Sequence, residues 1–293
     1  YRSRANRVIY VFNLTSPLGV LSWAAGRLGG AQLVVSLNDI NEPGETVPDS
    51  LRFRLDFWLQ KRLIPHFDGH VVVADAIAED FLPGRPYVRV EGGVDELTEE
   101  DQAPSVAPET FSMVLAGTLN EANGVGLLLD ALKILNDAAL RVRIAGQGPM
   151  LDAVRQAARD DSRIEYVGFL GLGEVRELYR RSDLLLNLRL TRAVRTRYFF
   201  PSKVIEFLAS GTPLLTTCPG HVRSEFSDLA FLLEEETPEA LASLLRKVMT
   251  TTSEERLRQA KLAREQIFAS HSWLAHGRRV ASYIRGVVAQ GRR

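Results

Sequence analysis

Short apolar runs with polar or glycine-rich tips alternate along this chain with stretches of helical periodicity. In the first half, 7–13 (RVIYVFN), 31–39 (AQLVVSLND), 69–75 (GHVVVAD) and 87–96 (YVRVEGGVDE) read as strands, the first and third as buried ones. Helices are expected over 19–29 and 51–67, the second ending near Pro65. The second half alternates more regularly. Strands are expected at 112–117, 140–146, 163–168, 183–189, 213–217 and 229–234, and helices at 124–136, after Pro149, at 173–181 and from Pro201 to Ala209. Continuous apolar strands joined by helical crossovers predict parallel sheets, because parallel neighbours cannot be linked by a hairpin. Helices at about 237–249, 253–268 and 271–289 close the chain.

The polar stretch 97–110 (LTEEDQAPSVAPET) holds two prolines and reads as a linker. The expected fold class is therefore α/β, with two doubly wound parallel-sheet domains. The first, over 1–96, is partial, the second spans 111–270, and 271–293 is a closing helix that crosses back to the first. Composition narrows the function classes. Charged residues make up 25% of the chain, and 36 basic side chains balance 36 acidic ones, so no nucleic-acid partner is expected. The one cysteine, Cys218, forms no internal disulfide and fits a reducing, cytoplasmic setting. No apolar run reaches the length of a membrane span, and no signal peptide opens the chain. His66, His70, His221, His271 and His276 show no ligand spacing, so no metal or other cofactor is expected.

Candidate chemistry gathers at strand ends. Pro201 opens a helix whose free backbone N–H groups and positive dipole end suit an anion. Lys203 stands in its first turn, where the dipole disfavours a cation, and Glu206 follows on the same face. The pair reads either as an anion and diol site or as a surface ion pair. The stretch 115–132 (LAGTLNEANGVGLLLDAL) carries Gly117, Gly124 and Gly126 between strand and helix, and 144–150 (IAGQGPM) carries Gly146, Gln147 and Gly148. Glycines there admit a ligand close to the backbone, and they serve equally in plain turns. The loop 188–200 holds Arg189, Arg192, Arg195 and Arg197, which suit phosphate contacts or a solvated surface. In 52–63, Arg52, Arg54, Lys61 and Arg62 interleave with Phe53, Phe57 and Trp58, as in a core-packing helix with snorkelling cations or one resting on an anionic membrane.

Taken in order, AGTLNEANGVGLLLDAL, RIAGQGP, IEYVGFL, ELYRRSDLLLNLR and FPSKVIEFLASGTPLLTT resemble the nucleotide-sugar domain of GT-B glycosyltransferases of family 4, in the group 1 superfamily, over about 111–285. The resemblance implies two Rossmann-like domains and a retaining hexosyl transfer from a nucleotide diphosphate sugar to a glycan or lipid-linked acceptor, with no metal; peripheral membrane contact is an expectation from the 52–63 pattern instead. It implies that Glu206 is the second glutamate of an E-x7-E motif and holds the donor ribose. Phe200, Pro201, Ser202 and Lys203 then face the diphosphate or sugar, Gly117 and Gly124 the diphosphate, and Gly146, Gln147 and Gly148 the base. The pattern is broken at Tyr198, which replaces the first glutamate, and at Thr118 and Asn123, which replace an arginine and a lysine. Lys203, Arg189 and Arg197 are expected to supply the missing charge in a PSK-x-x-E variant. Asn38 stands where a histidine is usual, and Asp39 beside it joins Lys203 and Glu206 as a catalytic candidate. The first domain is short against the family. Two alternatives share the fold: a catalytically silent binding subunit and a non-hydrolysing sugar-nucleotide epimerase.

Overall fold

The structure is a computed structural model that describes residues 7–95, 110–194 and 197–290. The expected linker, apart from Thr110, lies outside the described residues, as does Arg195. In chain order the elements are β1 (Val8–Phe12), α1 (Ser16–Gly29), β2 (Gln32–Leu37), α2 (Leu51–Leu63), β3 (Gly69–Val72), α3 (Asp75–Phe81) and β4 (Val88–Arg89). There follow β5 (Phe111–Thr118), α4 (Val125–Ile134), β6 (Leu140–Gln147), α5 (Leu151–Asp160), β7 (Ile164–Gly168), α6 (Leu172–Arg180) and β8 (Leu184–Asn187). The rest are α7 (Ser202–Ala209), β9 (Leu214–Thr217), α8 (Val222–Phe226), β10 (Phe231–Leu233), α9 (Pro238–Thr250), α10 (Ser253–His271) and α11 (Trp273–Gln290). Both sheets are parallel, as the strand–helix alternation predicts. No described helix is long and apolar enough to cross a membrane.

The chain divides into two compact units. The first comprises the described residues of Tyr1–Gly93, Arg195–Phe200 and His271–Arg293. Its sheet runs β1-β2-β3-β4. One face carries the core of Val11, Leu33, Val35, Ile64, Phe67 and Phe81. The other is covered by α11: the Tyr283 hydroxyl accepts from His70 N–H at 3.0 Å and donates to the Pro86 carbonyl at 2.8 Å. The expectation of a buried first strand is corrected. Val8, Tyr10 and Phe12 are 37, 46 and 64% exposed. Tyr10 shares a sheet face with Val34 and Gly69, and it is over Gly69 that Val287 of α11 packs; the helix leaves edge strand β1 bare on that side.

Residues 197–200, read from sequence as part of an anion-binding loop, cluster with this first unit. Tyr198 is 5% exposed within the same core, with its ring edge-on to Phe81 at 5.6 Å and its hydroxyl donating to Asp80 at 2.6 Å. Burial first, and then the Asp80 carboxylate, push its phenol pKa up. Arg197 pairs with Glu79 and Asp80.

The second unit comprises the described residues of Val94–Val194 and Pro201–Ser270. Its six strands run β10-β9-β8-β5-β6-β7. The chain builds outward from β5 through β6 to β7, then returns to lay β8 on the other side of β5. That reversal opens a crevice at the carboxyl ends of β5 and β8, the usual ligand position in such sheets. Leucine, valine and isoleucine side chains of β5, β6, β8 and α4 fill the core beneath it.

At the upper end of β5 and β6, Gly117 pairs with Gly146 in register. Their φ angles are +145° and +135°, outside what side-chain-bearing residues adopt readily. A β-carbon on Gly146 would sit 1.8 Å from the Gly117 carbonyl oxygen. Gly146→Ala is therefore expected to destabilise the protein by about 2–4 kcal/mol in urea or thermal unfolding, from positive φ and overpacking together. Gly173 in α6 has open space around it, and Gly173→Ala should leave stability unchanged or raise it by about 0.5–1 kcal/mol.

Candidate functional site

A cleft of about 440 Å³ opens at the carboxyl ends of β5, β6 and β7, against one side of α7 and α6. Its floor is backbone: Ala116, Gly117 and Thr118 from β5, Ala145, Gly146 and Gln147 from β6. Its walls are Phe169 and Leu170 after β7, Val175 and Tyr179 of α6, and Lys203 and Glu206 of α7. The volume falls in the range that suits a small-molecule ligand.

Lys203 crosses the bare surface of Gly117. Its Nζ donates to the Ala116 carbonyl at 2.8 Å, and a β-carbon on Gly117 would lie 2.4 Å from that nitrogen. Only glycine leaves the ammonium this path. Enclosure pushes the Lys203 pKa below the ordinary lysine value, while the Glu206 carboxylate one turn on acts in the opposite sense. Tyr179 is buried edge-on to Phe207 at 5.1 Å; desolvation, and after it the nearby Glu206 carboxylate, raise its phenol pKa. The cleft therefore presents an ammonium and a carboxylate, both reached by solvent, on the first two turns of an eight-residue helix that begins after Pro201.

The remaining loop residues hold the rim. Asn123 donates from Nδ2 to the Thr118 carbonyl at 2.8 Å, and its own N–H is capped by Asn120 Oδ1 at 2.8 Å. The side chain in the place of an expected lysine thus fastens the loop after β5. Gly124 and Gly148 stand against the Leu188 and Leu119 carbonyls, where β-carbons would come within 2.4 and 2.3 Å. The Tyr166 hydroxyl donates to the Gly146 carbonyl at 2.9 Å.

The structure brings Gly117, Thr118, Gly146, Gln147, Lys203 and Glu206 together in one cleft. Ser202 lies on the exposed first turn of α7 and Pro201 is buried before it. Arg189 is half-buried past β8 and is not among the cleft walls, while Arg192 approaches Glu121 at 3.9 Å. Arg197 and Phe200 belong to the first unit. So does Asp39, which sits at the end of β2 and accepts from Asn13 Nδ2 at 2.9 Å. Asn13 has φ +49°, and its Oδ1 takes the N–H groups of Asn38 and Asp39 at 2.8 and 3.2 Å.

Sequence reasoning did not single out Phe169, Leu170, Val175 or Tyr179 as site residues. The signal was present for the first two, which follow β7 as Gly148 follows β6. A larger hollow of about 950 Å³ lies between α4 and α5, beside Leu132, Arg141, Asp160 and Arg163. It is at the amino ends of the strands, and the Arg163 guanidinium is already committed to Asp161 and to the Leu132 and Leu135 carbonyls.

Comparisons with known proteins bear on the fold and on the second unit. Residues 110–251 match the family model described as glycosyl transferases group 1. No curated protein matches the chain. Among solved structures, sucrose-phosphate synthase from Thermosynechococcus elongatus superposes with a TM-score of 0.69 at 14% identity, over 97% of this chain and 74% of that one. Anabaena HepE in complex with UDP gives a TM-score of 0.71 at 16% identity, over 97% and 79%. A glycosyltransferase from Rickettsia africae gives 0.67 at 15% identity, over 96% and 77%. The two parallel sheets are the Rossmann-like halves of a GT-B fold, and residues 110–251, within the second unit, are similar to the group 1 glycosyl transferases.

Proposed function

We propose that the protein transfers a hexosyl unit, with retention, from a nucleotide diphosphate sugar to a glycan or lipid-linked acceptor in polysaccharide or glycoconjugate biosynthesis. It works in the cytoplasm, in peripheral contact with the inner face of a membrane. The observation that carries the reading is Lys203 held across Gly117 at the switch point of the second sheet, one turn from Glu206.

The donor's pyrophosphate lies over the glycine floor against the start of α7. Lys203 and the helix end take up the charge that develops on the leaving diphosphate, a preorganised electrostatic role that needs no divalent metal. Glu206 accepts the ribose hydroxyls, and the base lies beside Gly146, Gln147 and Gly148. Asp39 serves on the acceptor side. Arg197, paired with Glu79 and Asp80, and Arg189, which is not among the cleft walls, have less support as diphosphate ligands than Lys203. Anabaena HepE has been solved with UDP and UDP-glucose, which makes a uridine diphosphate sugar the first donor to test.

A second reading, a catalytically silent binding subunit, has in its favour that Asn123 is spent on the loop and Tyr198 on a core. Turnover separates the two: release of nucleoside diphosphate from a sugar donor supports the enzyme, and binding without release supports the silent subunit. Glu206→Ala is expected to weaken UDP or GDP binding by about 1–3 kcal/mol in a calorimetric titration; unchanged affinity for both removes the ribose role. Lys203→Met should lower kcat by about 100-fold while the melting temperature stays near that of the wild type. A collapse in melting temperature would make the lysine structural instead.

A further inference from the structure

Two adjacent helices of the first unit are inside out. The face of α1 turned inward consists of Ser16, Gly19, Ser22 and Gly26, with Gly26 against Leu33 of the sheet and Gly19 against Leu63 of α2. Its large apolar residues point away: Leu18, Leu21 and Leu28, three and seven positions apart, are exposed, Leu21 at 69% and Leu28 at 86%. Helix α2 repeats the arrangement. Gln60 is its buried residue, and Leu51, Leu55 and Trp58, spaced by four and three, are 83, 54 and 51% exposed.

These helices connect three consecutive parallel strands, so both right-handed crossovers fall on one face of the sheet. They pack side by side, with Ser16 N–H donating to Asp56 Oδ1 at 2.9 Å. Their outer stripes therefore form one exposed apolar face, larger than scattered surface leucines require.

Charge says what the face meets. Arg27, Arg52, Arg54, Lys61 and Arg62 accompany it, against one carboxylate in the two helices, Asp56, which is turned to the first turn of α1 and to Gln60. Asp49 takes up Arg54. Arg27 and Arg62 lie over the Trp23 and Trp58 rings at 5.7 and 5.0 Å, and Lys61 lies 4.9 Å from the Phe57 ring, rather than on acids. Outward leucines with tryptophan, bordered by arginine and lysine, match an interface of acyl chains beneath anionic headgroups. An aqueous protein partner has no comparable need for the leucines and cations to stand together along both helices.

We infer that the outer face of α1 and α2 docks on an anionic phospholipid bilayer. This gives the membrane contact proposed above a surface, and its test is independent of sugar transfer.

The experiment is sedimentation of the 293-residue chain with vesicles of phosphatidylcholine alone or mixed with phosphatidylglycerol. Binding to the mixed vesicles is expected, weakening as salt rises, with little binding to phosphatidylcholine. Leu21→Glu and Trp58→Glu, both at exposed positions, should abolish it without lowering the melting temperature. Arg52→Gln and Arg62→Gln should each weaken it about fivefold. Failure to bind mixed vesicles at low salt overturns the inference, as does binding that survives both glutamate variants. A dimer in light scattering that Leu21→Glu dissolves also overturns it, since a second copy would then cover the face. Loss of vesicle binding with nucleotide binding intact leaves the glycosyltransferase reading untouched.

Discussion

Two backbones without side chains, Gly117 and Gly146, lie side by side at the carboxyl ends of β5 and β6, and the cleft is arranged around the space they leave. The Gly146 position excludes even a methyl group because the neighbouring carbonyl is already there. The Gly117 position is filled from another part of the chain, by an ammonium that begins 86 residues later in sequence and binds the Ala116 carbonyl. A β-carbon at either place would close the floor or push the lysine off it. The strand register, the glycines and Lys203 are thus one feature, and the topology of the sheet puts that feature where ligands bind in folds of this kind.

The electrostatics of the cleft follow from that placement. A lysine in the first turn of a helix faces the positive end of the dipole, and enclosure lowers its pKa further. Both costs are offset only in part by a neutral carbonyl and by Glu206. A charged oxygen of a phosphate is the stronger acceptor, and exchanging the Ala116 carbonyl for it relieves the unfavourable environment. An ammonium held in this way is more use to an anion that arrives than to the stability of the empty protein. Glu206 keeps the site from being merely cationic and places an exposed acceptor one turn from the ammonium.

What could be read in the sequence is what local pattern controls. The parallel strands of the second unit and the glycine tips came from runs such as 112–117 and 140–146, whose apolar continuity has one plain structural meaning. Short helices such as α3 and α8 have too few turns to establish a period, and they were not found. The exposure of β1 was missed because its residues are as apolar as those of a central strand; only the end of α11's coverage distinguishes them. Tyr198 and Arg197 were placed by position in a motif, yet their partners Asp80 and Glu79 lie 118 residues away. A side chain that answers to so distant a partner leaves no mark in its own neighbourhood. Phe169 and Tyr179 were passed over for the opposite reason: aromatic residues at such positions usually signal packing, and their part in a cleft wall depends on which strands end beside them.

A formal charge of zero concealed a separation of charge. Apart from Arg54, which Asp49 takes up, the cations of α1 and α2 are not cancelled by distant acids, because charges farther apart than about 8 Å are screened from one another at physiological salt. Composition could therefore weigh against a nucleic-acid binder and still say nothing of a cationic helix face. The same physics distinguishes the two places where this protein presents positive charge. Lys203 acts at the wall of a cleft, where its ammonium is held on the Ala116 carbonyl and its hold on an anion is set by geometry. The cations of α1 and α2 act at an open surface, where each interaction is small, additive and sensitive to salt. One arrangement suits a small ligand bound in a fixed orientation, the other a broad charged surface met at no fixed point.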